Sequence, residues 1–202
     1  MALPSLDRAL LGHLWFLTLA VLSVVLFRYR IINIDCAIYS FELVTSGEFM
    51  VPHNRWGTVL PQLLPWGLLH AGASLKTILI GYSLSFTLIH YLCWLFVRYV
   101  AKSPWIARAF VLYQAVAWNA TFFWPVSEAF QAVIYGLVLM GWIYGARDRA
   151  LPYYLLPIAL LVLLPLFTHP LAFVFMVMLG AFITWDWIFR ERKRLIQVGL
   201  AL

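Results

Sequence analysis

Charge is what this 202-residue chain has least of. Asp, Glu, Lys and Arg together make up 11% of it, against about a quarter of an ordinary soluble domain. With 64% hydrophobic residues and a mean hydropathy of +0.90, its apolar surface is too large for one water-washed core. That excludes a soluble globular domain and makes the chain an integral membrane protein. Cysteine is scarce too. Cys36 and Cys93 stand at no metal or redox spacing, which leaves out a disulfide scaffold, a cysteine zinc site and a C-x-x-C redox centre. There is no Gly-rich phosphate loop and no H-E-x-x-H helix, nor a G-x-S-x-G nucleophile elbow. The five histidines are scattered, without the spacing a metal requires. Asp35 and Glu128 together offer a divalent metal two carboxylates, but no pattern demands one, and no cofactor is expected.

Long apolar runs are what is there. They are too continuous for barrel strands, which alternate over about 10 residues, so the expected fold is all-α. Six segments, roughly 9–27, 75–97, 104–122, 126–145, 151–168 and 170–189, each approach the length of about 20 residues that crosses a bilayer. The last two are divided only by "THP", and together they exceed one crossing. Pro170 is the expected break. Met1 to Phe27 has the look of a signal peptide, yet no small-x-small cleavage site precedes "FRYR". It reads as an uncleaved first span. The expected organisation is one transmembrane domain over 1–202, with 28–74 as a long first outer loop. The final "LIQVGLAL" reads as the start of another apolar run, so the chain is expected to be a fragment of a longer protein or a short relative of one.

The net charge of +6 is no nucleic-acid signature, because the cations are split among short loops. With the N-terminus in the cytoplasm, the inner side holds Arg8, then Arg98, Lys102 and Arg108, then Arg147 and Arg149, then Arg190, Arg192, Lys193 and Arg194. That is ten of the fourteen Lys and Arg residues. The outer side holds Arg28, Arg30, Arg55 and Lys76. Such a bias sets orientation and makes both observed ends cytoplasmic, in a membrane such as the bacterial inner membrane. It gathers Asp35, Glu42, Glu48, His53, Arg55 and His70 in the first outer loop. Asn119 and Glu128 flank the second, and Thr168 and His169 form the third. The polar residues are therefore expected to converge on the extracytoplasmic face.

The first loop is not simply polar. Over 36–46, Ala37, Ile38, Phe41 and Val44 share one helical face, the pattern of an amphipathic helix lying at the interface. Asp35 sits where an N-cap belongs and Gly47 where a helix stops. A second amphipathic piece runs from Thr58 to His70, where Pro61 and Pro65 argue against a clean span. "PHNRWG" joins the two and leaves Arg55 free to meet an anion. Further on, "GWIYG" (Gly141 to Gly145) permits close helix approach. His13 and His90 read as polar packing residues within the membrane.

Asp35, Tyr39, Gly47 and Pro52, with "SGEFMVP" ahead of a Pro-bearing amphipathic segment, form a pattern. It resembles the first periplasmic loop of the GT-C class of membrane glycosyltransferases, nearest the protein O-mannosyltransferase and lipid A aminoarabinose transferase branch. The resemblance covers about 40 residues. Cys36 stands where many relatives carry a second acid. The resemblance implies a sugar donor carried on polyprenyl phosphate and an extracytoplasmic acceptor, which is a glycan, lipid or protein. Asp35 would be the base or acceptor-orienting carboxylate. His53, Arg55, Arg28 and Arg30 would meet the leaving phosphate. Tyr39, Glu128 and His169 would line the acceptor side. The bilayer is a partner and nucleic acid is not. Two other classes compete. A small transporter or flippase would place ionisable residues near the midplane, where His90 is the main one. A non-catalytic scaffold subunit would leave Asp35 as a helix cap, Arg55 as a headgroup snorkeller and Glu128 as a helix-terminal charge.

Overall fold

The computed structural model describes residues 8–124, 128–146 and 150–199. Arg147 and Arg149 of the expected inner loop lie outside the described residues, as do Pro125 to Ser127 and Leu200 to Leu202. For Arg8 and for 190–199 only the backbone is described.

The apolar N-terminal run forms α1 (Arg8–Val25), and α2 (Phe27–Ile31) continues it past Leu26. A short bend leads into α3 (Ile34–Ser46), which stops at Gly47 with φ +73°, the left-handed stop expected of a glycine. The cap position is corrected: Asn33 is the N-cap, and Asp35 falls in the first turn, where a carboxylate favours the helix dipole. Two 3-10 turns, Pro52–Asn54 and Trp56–Gln62, lead to α4 (Leu63–His70). Ser74 then caps α5 (Leu75–Leu95), its hydroxyl oxygen accepting from the Thr77 amide at 3.3 Å. A π-turn, Phe96–Val100, prolongs α5. After α6 (Pro104–Val116) comes a second π-turn, Asn119–Phe123, and then α7 (Glu128–Gly145), α8 (Leu151–Leu166) and α9 (Ala172–Gly199).

The described residues are therefore an all-α bundle with no strand. Three helices are long and apolar enough to cross a membrane: Leu75–Val100, Glu128–Gly145 and Ala172–Phe189. Ala9–Val25 and Leu151–Leu166 are shorter apolar helices. The break expected at Pro170 is present, between α8 and α9. The segment 104–122 is not one helix. Its 13-residue α6 rises about 20 Å, short of the ~30 Å hydrocarbon core.

The main core is built by α1, α5, α6 and α7, from Phe16, Trp94, Val97, Phe110, Ile134 and Tyr135 among others. In lipid this packing is held by van der Waals fit and not by expulsion of water, so small residues matter. A Cβ on Gly141 would meet Val97 Cγ1 at 2.8 Å, and one on Gly145 would run into the Ala101 carbonyl. The "GWIYG" glycines thus seat α7 on the end of α5. Several polar groups inside the bundle pair with one another, as an apolar medium favours. Ser23 and Thr87 hydroxyls lie 2.7 Å apart, Gln114 Nε2 meets His90 Nδ1 at 2.9 Å, and His13 lies between the hydroxyls of Tyr91 and Tyr99. The hairpin of α8 and α9 leans on α7, and only 11% of the Ala172–Phe189 span is buried. Lipid is the natural cover for the rest.

Gly145→Ala is expected to lower stability by about 1–3 kcal/mol through overpacking. Gly180→Ala, where a Cβ meets nothing within 4 Å, should be neutral. Thermal unfolding in detergent compares them, and equal melting of both variants would refute the close seat of α7.

Candidate functional site

α3 packs its Cys36–Tyr39–Leu43 stripe against Tyr82 and Phe86 of α5. Ile38 and Phe41 point outward and are exposed, with Ala37 and Val44 half-buried beside them. The apolar stripe legible in the sequence is the outward, exposed side of the helix. The side that carries Tyr39 faces the protein.

Beyond α3 the loop is pinned by one amide. Gln62 is fully buried; its Oε1 accepts from Met50 N at 2.8 Å and its Nε2 donates to Met50 O at 2.7 Å. Trp66 Nε1 donates to Gly47 O at 3.2 Å. Between these anchors His53 (φ +51°) and Asn54 (φ +62°) both take the left-handed conformation, which strains a side-chain-bearing residue by about 1–3 kcal/mol. Arg55 follows directly. Two residues later Gly57 N donates to Phe167 O at 3.0 Å, and a Cβ on Gly57 would clash with Thr168. The first loop is thereby docked on the turn between α8 and α9.

These contacts assemble one cluster. Glu128, the first residue of α7, is 7% exposed. One of its oxygens accepts from the Tyr39 hydroxyl and the other is ion-paired with Arg55 Nη1. The N-terminal position adds the favourable field of the helix dipole. Burial, followed by the hydrogen bond to Glu128, pushes the Tyr39 phenol well above its usual range, so Tyr39 stays a donor. His169 lies within electrostatic reach of both charges. Burial and the Arg55 charge lower its pKa below 6.5, opposed by Glu128. Its Nδ1 accepts from Leu171 N at 3.1 Å. Burial thus favours the neutral imidazole.

The remaining expected site residues are placed differently. Asp35 is exposed, one helical turn before Tyr39, and its charge adds to the rise of the phenol. It makes no hydrogen bond or ion pair among the described residues. His53 is exposed at the loop apex. Arg28 lines a lipid-facing cavity with Phe41 and Val44, on the opposite face of α3 from Tyr39. Arg30 is 1% exposed; its Nη2 donates to Ser83 O at 2.9 Å and its guanidinium sits 4.1 Å over the Phe122 ring. Tyr39, Arg55, Glu128 and His169 therefore come together, with Asp35 at their rim, while Arg28, Arg30 and His53 stand apart. Glu42 and Glu48 are exposed loop charges. Neither cysteine is in a disulfide among the described residues, where also no three His, Cys, Asp or Glu side chains group as metal ligands. Gln62 and Gln114 escaped the sequence reading. The available signal was an amide in an apolar stretch, which must find partners.

No protein-family model, curated protein or solved structure matches the chain.

The lowered pKa of His169 fixes a pH dependence. Below pH 6.5 the unfolded chain takes up a proton that the folded chain does not, so folding stability falls until the folded pKa is reached. His169→Gln should flatten that acid-side slope. Arg55→Gln should move His169 protonation upward, by removal of the neighbouring cation. Melting profiles between pH 4 and 8 read both effects. A slope untouched by His169→Gln would place the titrating group elsewhere.

Proposed function

We propose that this chain is the membrane part of a GT-C-like glycosyltransferase, moving a sugar from a polyprenyl-phosphate donor to an extracytoplasmic acceptor. On this reading α1, α8 and the α6 region also take part in crossing, giving about six passages. The N-terminus is cytoplasmic, and the Tyr39–Glu128 cluster faces outward. One observation carries the reading. The interfacial helix α3, the head of α7 and the turn between α8 and α9 meet in a single polar cluster, and an unpaired carboxylate, Asp35, stands at its rim.

The roles follow from which groups are free. Both oxygens of Glu128 are engaged, so it positions Tyr39 and Arg55 and is not the base. Asp35 is exposed and can receive the acceptor hydroxyl's proton as the anomeric carbon is attacked. Arg55 Nη1 holds Glu128 while its Nε is buried without a partner among the described residues; the half-buried guanidinium as a whole brings a positive charge toward the departing phosphate. His169 borders the same space, within electrostatic reach of Arg55 and Glu128.

One observation favours the scaffold reading instead. The Arg55–Glu128 pair is already complete, as a structural latch would be. The two readings separate on Asp35. In reconstituted membranes supplied with a polyprenyl-phosphate sugar, Asp35→Asn should slow transfer about 10²- to 10⁴-fold while insertion and melting stay unchanged. Undiminished transfer would reduce Asp35 to a helix-terminal charge, and no transfer by wild type or variant would favour the scaffold.

A further inference from the structure

A second feature lies on the opposite face of α3 from the Tyr39–Glu128 cluster. An almost wholly apolar cavity of about 550 Å³ opens between α2, α3 and the start of α5, lined by Ile31, Phe41, Val44 and Leu79 among others, with Arg28 also on its wall. An adjoining cavity of about 510 Å³ shares Phe27, Arg28 and Ile32 with the first and adds Lys76. Arg28 therefore lines both, and Lys76 borders the second. The two cations belong to neighbouring helices at the same end of the bundle, one just past α1 and the other in the first turn of α5. Both are exposed, and neither has a carboxylate partner among the described residues. An apolar slot adjoining a more polar cavity walled by two cations, Arg28 and Lys76, matches a hydrocarbon chain that carries a phosphate headgroup.

We propose that this is a binding site for one anionic glycerophospholipid of the surrounding bilayer, its phosphate between Arg28 and Lys76 and one acyl chain in the slot beneath α3. A zwitterionic lipid brings its own cation to the headgroup and gains less from the pair. A polyprenyl-phosphate donor seated here would hold its phosphate on the wrong side of α3, away from Arg55 and Asp35. The bound lipid fills the space under α3 and so fixes the helix that carries Tyr39. The inference rests on membrane placement and not on the glycosyl-transfer reading, and its readout involves no sugar.

The test uses the full chain in nanodiscs of mixed phosphatidylglycerol and phosphatidylcholine, with retained lipid counted by native mass spectrometry. The wild type should retain phosphatidylglycerol in roughly tenfold excess. Arg28→Gln with Lys76→Gln should bring the ratio near one, while Arg28→Lys with Lys76→Arg keeps the excess and shows that charge is the cause. Leu79→Trp, which fills the slot, should reduce total lipid retained with both cations intact. An unchanged excess in the double glutamine variant would overturn the site. So would loss of the excess in the charge-conserving variant when its melting is normal, or displacement of phosphatidylglycerol from the wild type by an equimolar polyprenyl phosphate.

Discussion

A carboxylate at the head of an apolar helix sets the terms for this end of the bundle. Glu128 opens α7 and is 7% exposed, and an ionised acid at the bilayer edge is costly unless paired. Its two partners come from far along the chain, Arg55 from 73 residues away and Tyr39 from 89. To deliver them, the first loop must fold back over the bundle. The buried stripe of α3, the left-handed pair His53 and Asn54, the close approach at Gly57 and the Gln62–Met50 clasp all serve that return path. Loss of one partner would strand a buried charge, which costs more than an apolar pair in the same place.

What the sequence made legible follows from local pattern. The stop at Gly47, the break near Pro170 and the close packing at Gly141 and Gly145 each have a short-range signature; the meeting of Arg55 and Tyr39 with Glu128 has none. The face of α3 that meets protein had none. Lipid is as apolar as a protein interior, so the Ala37–Phe41–Val44 stripe could not reveal on which side it lay. The internal break of segment 104–122 was hidden for a related reason. Hydropathy counts apolar length, and no Pro or Gly marks the end of α6 at Val116. Arg30 was grouped with the surface cations, yet a long aliphatic stem can carry a guanidinium inward as readily as outward.

The interior bears on the transporter reading. Arg30 and His90 are both buried within the bundle, which is where that class would place ionisable groups. Each is tied to a fixed partner: Arg30 to the Ser83 carbonyl and the Phe122 ring, His90 to Gln114. Ser83 in turn donates to Ser23 O at 2.7 Å, so the Arg30 anchor continues into α1. These contacts join α1, α5 and the 119–123 turn. An alternating-access site instead needs groups that trade partners between two states.

The acids then divide by availability. Glu128 is held on both oxygens, and its chemistry is to orient. Asp35 is one turn from Tyr39 on the same helix, close enough to act on the phenol electrostatically, yet it has no partner among the described residues. A base needs a free lone pair, and on the proposed reading that role falls to Asp35, the exposed one of the two. The rigidity of one carboxylate makes the freedom of the other useful. Glu128 fixes Tyr39, Tyr39 fixes the rotation of α3 about its axis, and that rotation places Asp35 at the rim and not in the core or the lipid.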